Sequence, residues 1–160
     1  MPASDLLEPL EKQRTGTLAL LDTLTDEQIN AVHDGSGWTV GQVLAHIARS
    51  ELGEAFFVRQ AQAGQVIDMS LVERDGFNAD GATESENWDA ERLRAEFKDA
   101  RDTLREAFGE LDEADLDKPI KWPEWTAENI RDSIPFMVGH EDEHVAMVRT
   151  ALDQPTGSTS

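Results

Sequence analysis

The spacing of apolar residues between Asp89 and Leu111 constrains the fold more than any other feature of the sequence. Apolar side chains recur there every three or four residues, at Leu93, Phe97, Ala100, Leu104, Phe108 and Leu111. In an α-helix this spacing places them on one stripe, the seam along which bundle helices pack. Similar patterns cover about Asp5–Leu24, Trp38–Ala63 and Thr126–Leu152. Four amphipathic helices without a strand pattern predict an all-α fold, a four-helix bundle.

Polar residues at the starts of these stretches indicate where helices begin. A Ser, Thr or Asp followed three residues later by Glu or Gln is the pattern of a capping box. The pattern occurs at Asp5–Glu8, at Thr25–Gln28 before a short helical turn, and at Thr39–Gln42. Thr126 is expected to cap the last helix, in which Pro135 predicts a kink or a restart after Ser133.

Two connectors and a tail complete the chain. The stretch Gln65–Asn87 is polar and contains two glycines, so we expect irregular structure with a short helix around Phe77 and Asn78. A long loop of this kind is often a lid or binding segment, with disorder as the alternative. Asp112–Trp125 forms the second connector. The sequence thus predicts one domain over residues 1–153 and a disordered tail over 154–160.

The charge balance limits the partners of the chain. Its 160 residues include 14 Lys and Arg against 33 Asp and Glu, a formal net charge of −19. Phosphate backbones and anionic membrane surfaces require basic patches, so neither nucleic acid nor membrane is an expected partner. No apolar run approaches the ~20 residues of a membrane-spanning helix, and we expect a soluble, cytoplasmic protein. The sequence has no cysteine, so any thiol chemistry must take its sulfur from another molecule.

Three of the four histidines fall on inward helix faces. His140 and His144 stand at positions i and i+4, which lie about 40° apart around a helix, and their face also carries Met137 and Val148. His46 shares the apolar face of the second helix, whereas His33 precedes a glycine-rich break and is expected to be exposed. One inward histidine is more often a hydrogen-bonded core residue. Three on two inward faces favour a divalent metal site.

The residues from His140 to His144 also match H-E-x-x-H, the signature of zinc metalloproteases with Glu141 as general base. Those enzymes take a third ligand from further along the chain. Only Asp153 offers a carboxylate after His144, and no histidine follows. A protease is therefore disfavoured.

The segment GWTVGQVLAHIARSE at residues 37–51 resembles the second-helix motif of the DinB-like superfamily, W-[ST]-x-x-x-[VL]-[LA]-x-H-[LI]-x-x-[SA]-E. Phe77-Asn78 is similar to the middle of those proteins, and the stretch from Pro135 to His144 to their closing helix. The resemblance covers about Leu6 to Leu152.

This resemblance implies a four-helix bundle in which His46, His140 and His144 hold a divalent metal, zinc, nickel or iron. Relatives include bacillithiol S-transferases and mycothiol-dependent maleylpyruvate isomerases, and many form homodimers. Many relatives carry a polar run after the last ligand, whereas this chain has the apolar run Val145–Val148. The thiol and the substrate are therefore left open.

The leading hypothesis is an enzyme that activates bacillithiol or mycothiol for attack on a small electrophile. Ser50, one turn after His46, and Glu141 are candidate catalytic groups, either in proton transfer or in support of the ligands. The alternatives are a non-catalytic, metal-binding stress-response bundle and a metal-dependent hydrolase that uses water.

Overall fold

The computed structural model describes residues 2–33, 35–123 and 127–153. This part of the chain contains six α-helices: α1 Glu8–Asp22, α2 Asp26–Ala31, α3 Val40–Gln62, α4 Leu71–Glu84, α5 Ala90–Gly109 and α6 Ser133–Leu152. Two 3-10 helices cover Ala3–Leu7 and Asp115–Asp117. The described residues form no strand and only two isolated β-bridges. The all-α prediction is confirmed.

Four long helices build the body of the fold. Helix α3 packs against α5 and α6, and α1 packs against the same two helices. The stripe from Leu93 to Phe108 is almost completely buried between them, as the spacing predicts. One apolar cluster centres on Phe57 and Phe108, and the other on Leu44 and Phe97. The two shorter helices, α2 and α4, accompany the bundle, so the described helices outnumber the four expected.

Capping explains most of the helix starts. Thr25 and Gln28 form the predicted capping box at α2, and Thr39 and Gln42 form the one at α3. At α3 the Gln42 N–H donates to Thr39 Oγ1 at 3.0 Å, and the Thr39 N–H donates to Gln42 Oε1 at 2.8 Å. The box expected at Asp5 was wrong: a 3-10 helix occupies that stretch, and α1 starts at Glu8 without a side-chain cap.

Helix α4 covers much of the connector for which the sequence predicts irregular structure, and it contains the short helix expected around Phe77 and Asn78. Its 14 residues begin with a third capping box, in which Glu73 N–H donates to Ser70 Oγ at 3.1 Å. The helix lies on α3, where Gln42 Nε2 donates to the Ala82 carbonyl at 2.8 Å. Gly81 permits this approach, because a Cβ there would collide with the Arg49 side chain. A polar sequence with two glycines therefore forms a helix because it packs on α3.

Helix α6 starts at Ser133, so Pro135 lies in its first turn. Proline is tolerated there because the first backbone N–H groups of a helix have no carbonyl partner within it. The described residues 127–132 form turns and a β-bridge, so the expected helix start near Thr126 was wrong: α6 begins at Ser133 itself, without a kinked or restarted helical segment in 127–132. The expected cap at Thr126 and the expected disordered tail over residues 154–160 lie outside the described residues. Within the described part, none of the helices combines the length and the apolar character needed to cross a bilayer.

Candidate metal centre

The three inward histidines come together where α3 meets α6. The distances between ring centroids are 5.1 Å from His46 to His140, 4.7 Å from His46 to His144, and 4.4 Å from His140 to His144. The Nε2 atoms of His140 and His144 are 3.1 Å apart. One ring nitrogen from each histidine lies within 4.8 Å of the other two. Nitrogens that share a tetrahedral metal ion are ~3.3 Å apart, which is close to the 3.1 Å between the Nε2 atoms of His140 and His144.

The surroundings keep the rings of His46 and His140 uncharged. Burial lowers the pKa of His46 to about 3, assisted by the positive charges that His144, His140, Arg49 and Arg74 would add. Burial and His144 likewise lower the pKa of His140 to about 4. Both imidazoles are therefore neutral at pH 7, with a lone pair available. A metal ligand must be in this form.

The histidines line a cavity of about 290 Å³, here called the histidine cavity. Aromatic rings flank the three histidines on two sides. Trp38 lies 5.4 Å from the ring centroid of His46, and Phe136 stacks on His140 at 6.3 Å with an interplanar angle of 19°. Ser50, one of the two candidate catalytic residues, also lines this cavity. Ser50 and His46 therefore line the same cavity, in agreement with their spacing of one helical turn.

Several residues that line this cavity were not predicted as site residues from the sequence, although Asn78 was noted in the family resemblance. Arg74 and Asn78 reach the histidine cavity from α4, Trp122 from the connector before α6, and Glu143 from α6 itself. Glu143 could have been predicted from the sequence, since it directly precedes His144 on the same turn of α6. The other three come from segments whose position depends on tertiary packing, and spacing along the chain does not reveal them.

Glu141, the other candidate, is held by α1. Its Oε1 accepts a hydrogen bond from Arg14 Nη2 at 2.7 Å, and its Oε2 accepts from Arg14 Nε at 3.2 Å and from Thr17 Oγ1 at 2.6 Å. The residue is 2% exposed. Both carboxylate oxygens are thus engaged within the protein, on the same helix that carries His140 and His144.

Glu141 belongs to a buried network of four charges, here called the ion-pair network: Arg14, Glu51, Arg101 and Glu141. Glu51 Oε1 lies 3.0 Å from Arg14 Nη2 and 2.9 Å from Arg101 Nη2. Arg101 Nε donates to Glu51 Oε2 at 3.1 Å. The four charges sum to zero, and they tie α1, α3, α5 and α6 together directly beside the histidines.

A small cavity of about 30 Å³ lies between the ion-pair network and the histidines. Ser50, His140 and Glu54 are among its lining residues. Glu54 is 2% exposed, and its Oε1 has no hydrogen-bond partner among the described residues. Burial raises the pKa of Glu54 well above its usual value, and the charge of Glu51 adds to this effect. A buried carboxyl with a raised pKa therefore faces a cavity large enough for a water molecule.

His33 is not part of the group. It is exposed before α3, as expected, and its Nδ1 lies 3.0 Å from the Ala31 carbonyl oxygen. It therefore offers a matched control for changes at the other three histidines.

Comparison with known proteins identifies one relationship. A family model described as the DinB superfamily matches residues 9–148. The matched stretch runs from the start of α1 to near the end of α6 and includes His46, His140 and His144. No curated protein and no solved structure matches the chain.

Proposed function

The chain belongs to the DinB superfamily, and we propose that it is a metal-dependent enzyme of the thiol S-transferase type. In this proposal His46, His140 and His144 hold one divalent ion: zinc, nickel or iron. The observation that carries it is the meeting of three ring nitrogens within 4.8 Å of one another, in the wall of an open cavity. Three neutral imidazoles from two rigid helices leave coordination positions free for a reactant.

The donor set fits such an ion. Imidazole nitrogens bind zinc, nickel and iron, and the lowered pKa values of His46 and His140 mean that no proton competes with a metal at pH 7. When bound, the ion would supply a local positive charge that favours the deprotonated form of a thiol or a water molecule. Because the chain has no cysteine, the thiol is a separate small molecule, bacillithiol or mycothiol.

We assign different tasks to the two candidate catalytic residues. Ser50 lines the histidine cavity, where its hydroxyl can accept and pass on the proton that a thiol loses. Glu141 supports His140 from the protein side, since Arg14 and Thr17 occupy its oxygens and fix α6 against α1. Glu141 is thus a positioning residue in this proposal.

Metal content is the decisive measurement. The purified protein is stripped with a chelator, refilled with each metal in turn, dialysed and analysed by mass spectrometry, beside His46→Ala and the control His33→Ala. We expect about one equivalent in the wild type and in His33→Ala, and a loss of at least ten-fold in affinity in His46→Ala. Equal retention by all three proteins would show that the histidine cluster is not the site.

Turnover separates the possible activities. A chromogenic electrophile is incubated with the metal-loaded protein, with and without bacillithiol or mycothiol. Turnover that requires both metal and thiol supports the transferase. Hydrolysis without thiol favours a metal-dependent hydrolase, and bound metal without any turnover favours a non-catalytic metal-binding bundle with a stress-response role.

The proposal also includes a cytoplasmic homodimer. Its support is the behaviour of the relatives that the sequence resembles, together with a small thiol as co-substrate, which is an intracellular metabolite. Sedimentation velocity on the metal-loaded protein measures the mass in solution, and a monomer over the whole accessible concentration range would remove this part of the proposal.

A further inference from the structure

Three polar side chains follow one another along one side of α3. His46, Ser50 and Glu54 stand at positions i, i+4 and i+8, so each lies about 40° around the helix and ~6 Å along it from the one before. His46 belongs to the histidine cluster, whereas Glu54 is buried in the interior. The row of polar groups therefore leads from the candidate metal centre into the bundle.

The small cavity of about 30 Å³ adjoins the histidine cavity along this row. Four residues line both cavities: Ser50, Trp122, Phe136 and His140. On α3, Ser50 is the residue that lines both, and Glu54 lines only the small cavity. The hydroxyl of Ser50 therefore stands between the two spaces, with Glu54 at the inner end.

The carboxyl of Glu54 lacks a hydrogen-bond partner at one of its oxygens. Its Oε1 atom is buried and makes no hydrogen bond to any of the described residues. An unsatisfied buried polar atom costs about 1–3 kcal/mol, and ordered water commonly satisfies such atoms. The small cavity that Glu54 lines has room for one water molecule. Geometry and chemistry thus both indicate a water site beside Oε1.

The titratable groups around Glu54 are Glu51, His140 and Glu141, which line the same cavity. Glu51 and Glu141 are paired with arginines of α1 and α5 in the ion-pair network. Burial raises the pKa of Glu54, the charge of Glu51 adds to the rise, and a hydrogen bond with Ser133 opposes it. A carboxyl with a raised pKa is a better proton acceptor near neutral pH than an ordinary one.

We propose that the small cavity binds one ordered water molecule and that Glu54 is the proton acceptor at its inner end. The water accepts a hydrogen bond from Ser50 Oγ and donates one to Glu54 Oε1. The two residues are ~6 Å apart along the helix, about the length of two hydrogen bonds of ~2.8 Å, so one water molecule spans them. The inference rests on the proposed function for the source of the proton.

Each atom on this path gains and loses one proton. A thiol in the histidine cavity gives the proton of its S–H bond to Ser50 Oγ, Ser50 passes its own proton to the water, and the water passes one to the ionised Glu54. The S–H bond breaks, an O–H bond forms on Glu54, and Ser50 and the water end unchanged. After the sulfur has bonded to the electrophilic carbon, the proton returns to the atom of the electrophile that takes up the electron pair.

A crystal structure of the metal-free protein tests the water site without any need for turnover. The full chain is crystallised in chelator, beside the variant Glu54→Leu, whose side chain is of similar size and has no polar atom. We expect one water within ~3.2 Å of both Glu54 Oε1 and Ser50 Oγ in the wild type, and none at this place in the variant. A cavity without water, or a water that contacts only one of the two side chains, would overturn the proposal.

Infrared spectroscopy of the metal-free protein follows the proton on Glu54. A protonated carboxyl has a C=O stretching band that an ionised one lacks. We expect this band to persist to about pH 6 in the wild type and in the control Glu110→Gln, which changes an exposed carboxylate, and to be absent from Glu54→Gln. Identical spectra for the wild type and Glu54→Gln would overturn the role of this carboxyl as proton acceptor.

Turnover of the metal-loaded protein with a thiol tests the transfer itself. Glu54→Gln should lower kcat about 100-fold with an unchanged KM and metal content, and it should lose the rise in kcat that accompanies ionisation of the carboxyl in the wild type. Glu110→Gln should match the wild type. Glutamine removes an unpaired buried charge, so the loss does not come from a weakened fold. An unchanged kcat in Glu54→Gln would overturn the proposal.

These measurements distinguish a failure of this inference from a failure of the proposed function. A wild type without metal or without turnover would defeat the proposed function and, with it, the part of Glu54 in catalysis. The water in the metal-free crystal would still be decided separately. Thiol-dependent turnover in a protein whose small cavity holds no water would defeat only the inference about Glu54.

Discussion

The histidine cluster lies on α3 and α6, the two helices that also carry the carboxylates of the ion-pair network, and the two groups differ in how their charges are arranged. His46 and Glu51 lie on α3, and His140 and Glu141 are consecutive on α6. The network contains equal numbers of positive and negative groups within hydrogen-bonding distance. In the histidine cluster, ring nitrogens face one another and an open cavity, and each proton added would repel the next.

Within a few residues of each other, the ion-pair network therefore stabilises the fold and the histidine cluster is available to a ligand. Buried charges that are fully paired hold four helices together and have little left to offer a ligand. Neutral imidazoles that gather around a common point retain their lone pairs for a cation. The network thus fixes the backbone of α3 and α6, and the histidines depend on that rigidity to meet.

Breaking the ion-pair network should have the largest effect on stability. Arg14→Ala leaves Glu141 buried without its main partner, and we expect a loss of about 3–5 kcal/mol in the free energy of unfolding. Urea denaturation measures it. Arg59→Ala, which removes an exposed pair between α3 and Glu110 at the end of α5, should cost no more than about 1 kcal/mol. A similar mild effect for Arg14→Ala would contradict the structural role of the network.

The histidine cluster should contribute little to the free energy of unfolding by itself and much more when a metal is bound. Metal at a hundred-fold excess over its dissociation constant should raise the free energy of unfolding by about 2.7 kcal/mol in the wild type and in His33→Ala. His46→Ala should lose most of this gain. The measurement is urea denaturation with chelator and with metal, and a full gain in His46→Ala would disprove the assignment.

Lowering the pH should further distinguish the histidine cluster from the ion-pair network. In the metal-free protein the pKa of His46 is about 3 against its ordinary 6.5, so the unfolded chain binds more protons between these values. Stability therefore falls as the pH is lowered from 6.5 toward 3. At pH 5 we expect this histidine to account for about 1–2 kcal/mol, seen as a shallower pH dependence in His46→Ala than in His33→Ala. Parallel profiles for the two variants would refute the prediction.

A change at Glu54 should have the smallest effect on stability, and its pH dependence should have the opposite sign to that of His46. Its folded-state pKa is raised above the usual 4.5, so this residue's contribution to stability is present at low pH and is lost as the pH rises through the folded value. Glu54→Gln should raise the free energy of unfolding at pH 8 by about 1 kcal/mol relative to wild type, with no gain at pH 4. Glu51→Gln, which breaks pairs with two arginines, should instead destabilise at both pH values. A gain in both variants would mean that burial, and not pairing, governs these carboxyls.

Much of the bundle and the set of site histidines could be predicted from local patterns. The stripe from Leu93 to Phe108, the caps at Thr25 and Thr39, and the inward faces of His46 and His140 all follow from the periodicity of a helix. Ser70 and Glu73 also have the spacing of a capping box, which indicates the start of α4 although Gly76 and Gly81 follow it.

The sequence also indicates that one charged residue is buried. Arg14 stands on the apolar stripe of α1, between Leu10 and Leu21, where an unpaired charge would be costly. Its position indicated a partner inside the bundle. The identity of that partner could not be read, because Glu51 and Glu141 lie 37 and 127 residues away along the chain.

The sequence alone determined that the chain forms amphipathic helices, that it carries a strongly acidic surface, and that three histidines face inward. These properties depend on residue type and on the 3.6-residue repeat, which act within a single helix. Tertiary structure decided that Arg14 pairs with Glu141, that α4 covers α3, and that Trp122 and Arg74 line the histidine cavity. Those relations depend on how separate helices pack, and only packing brings residues from distant segments within a few ångströms of one another.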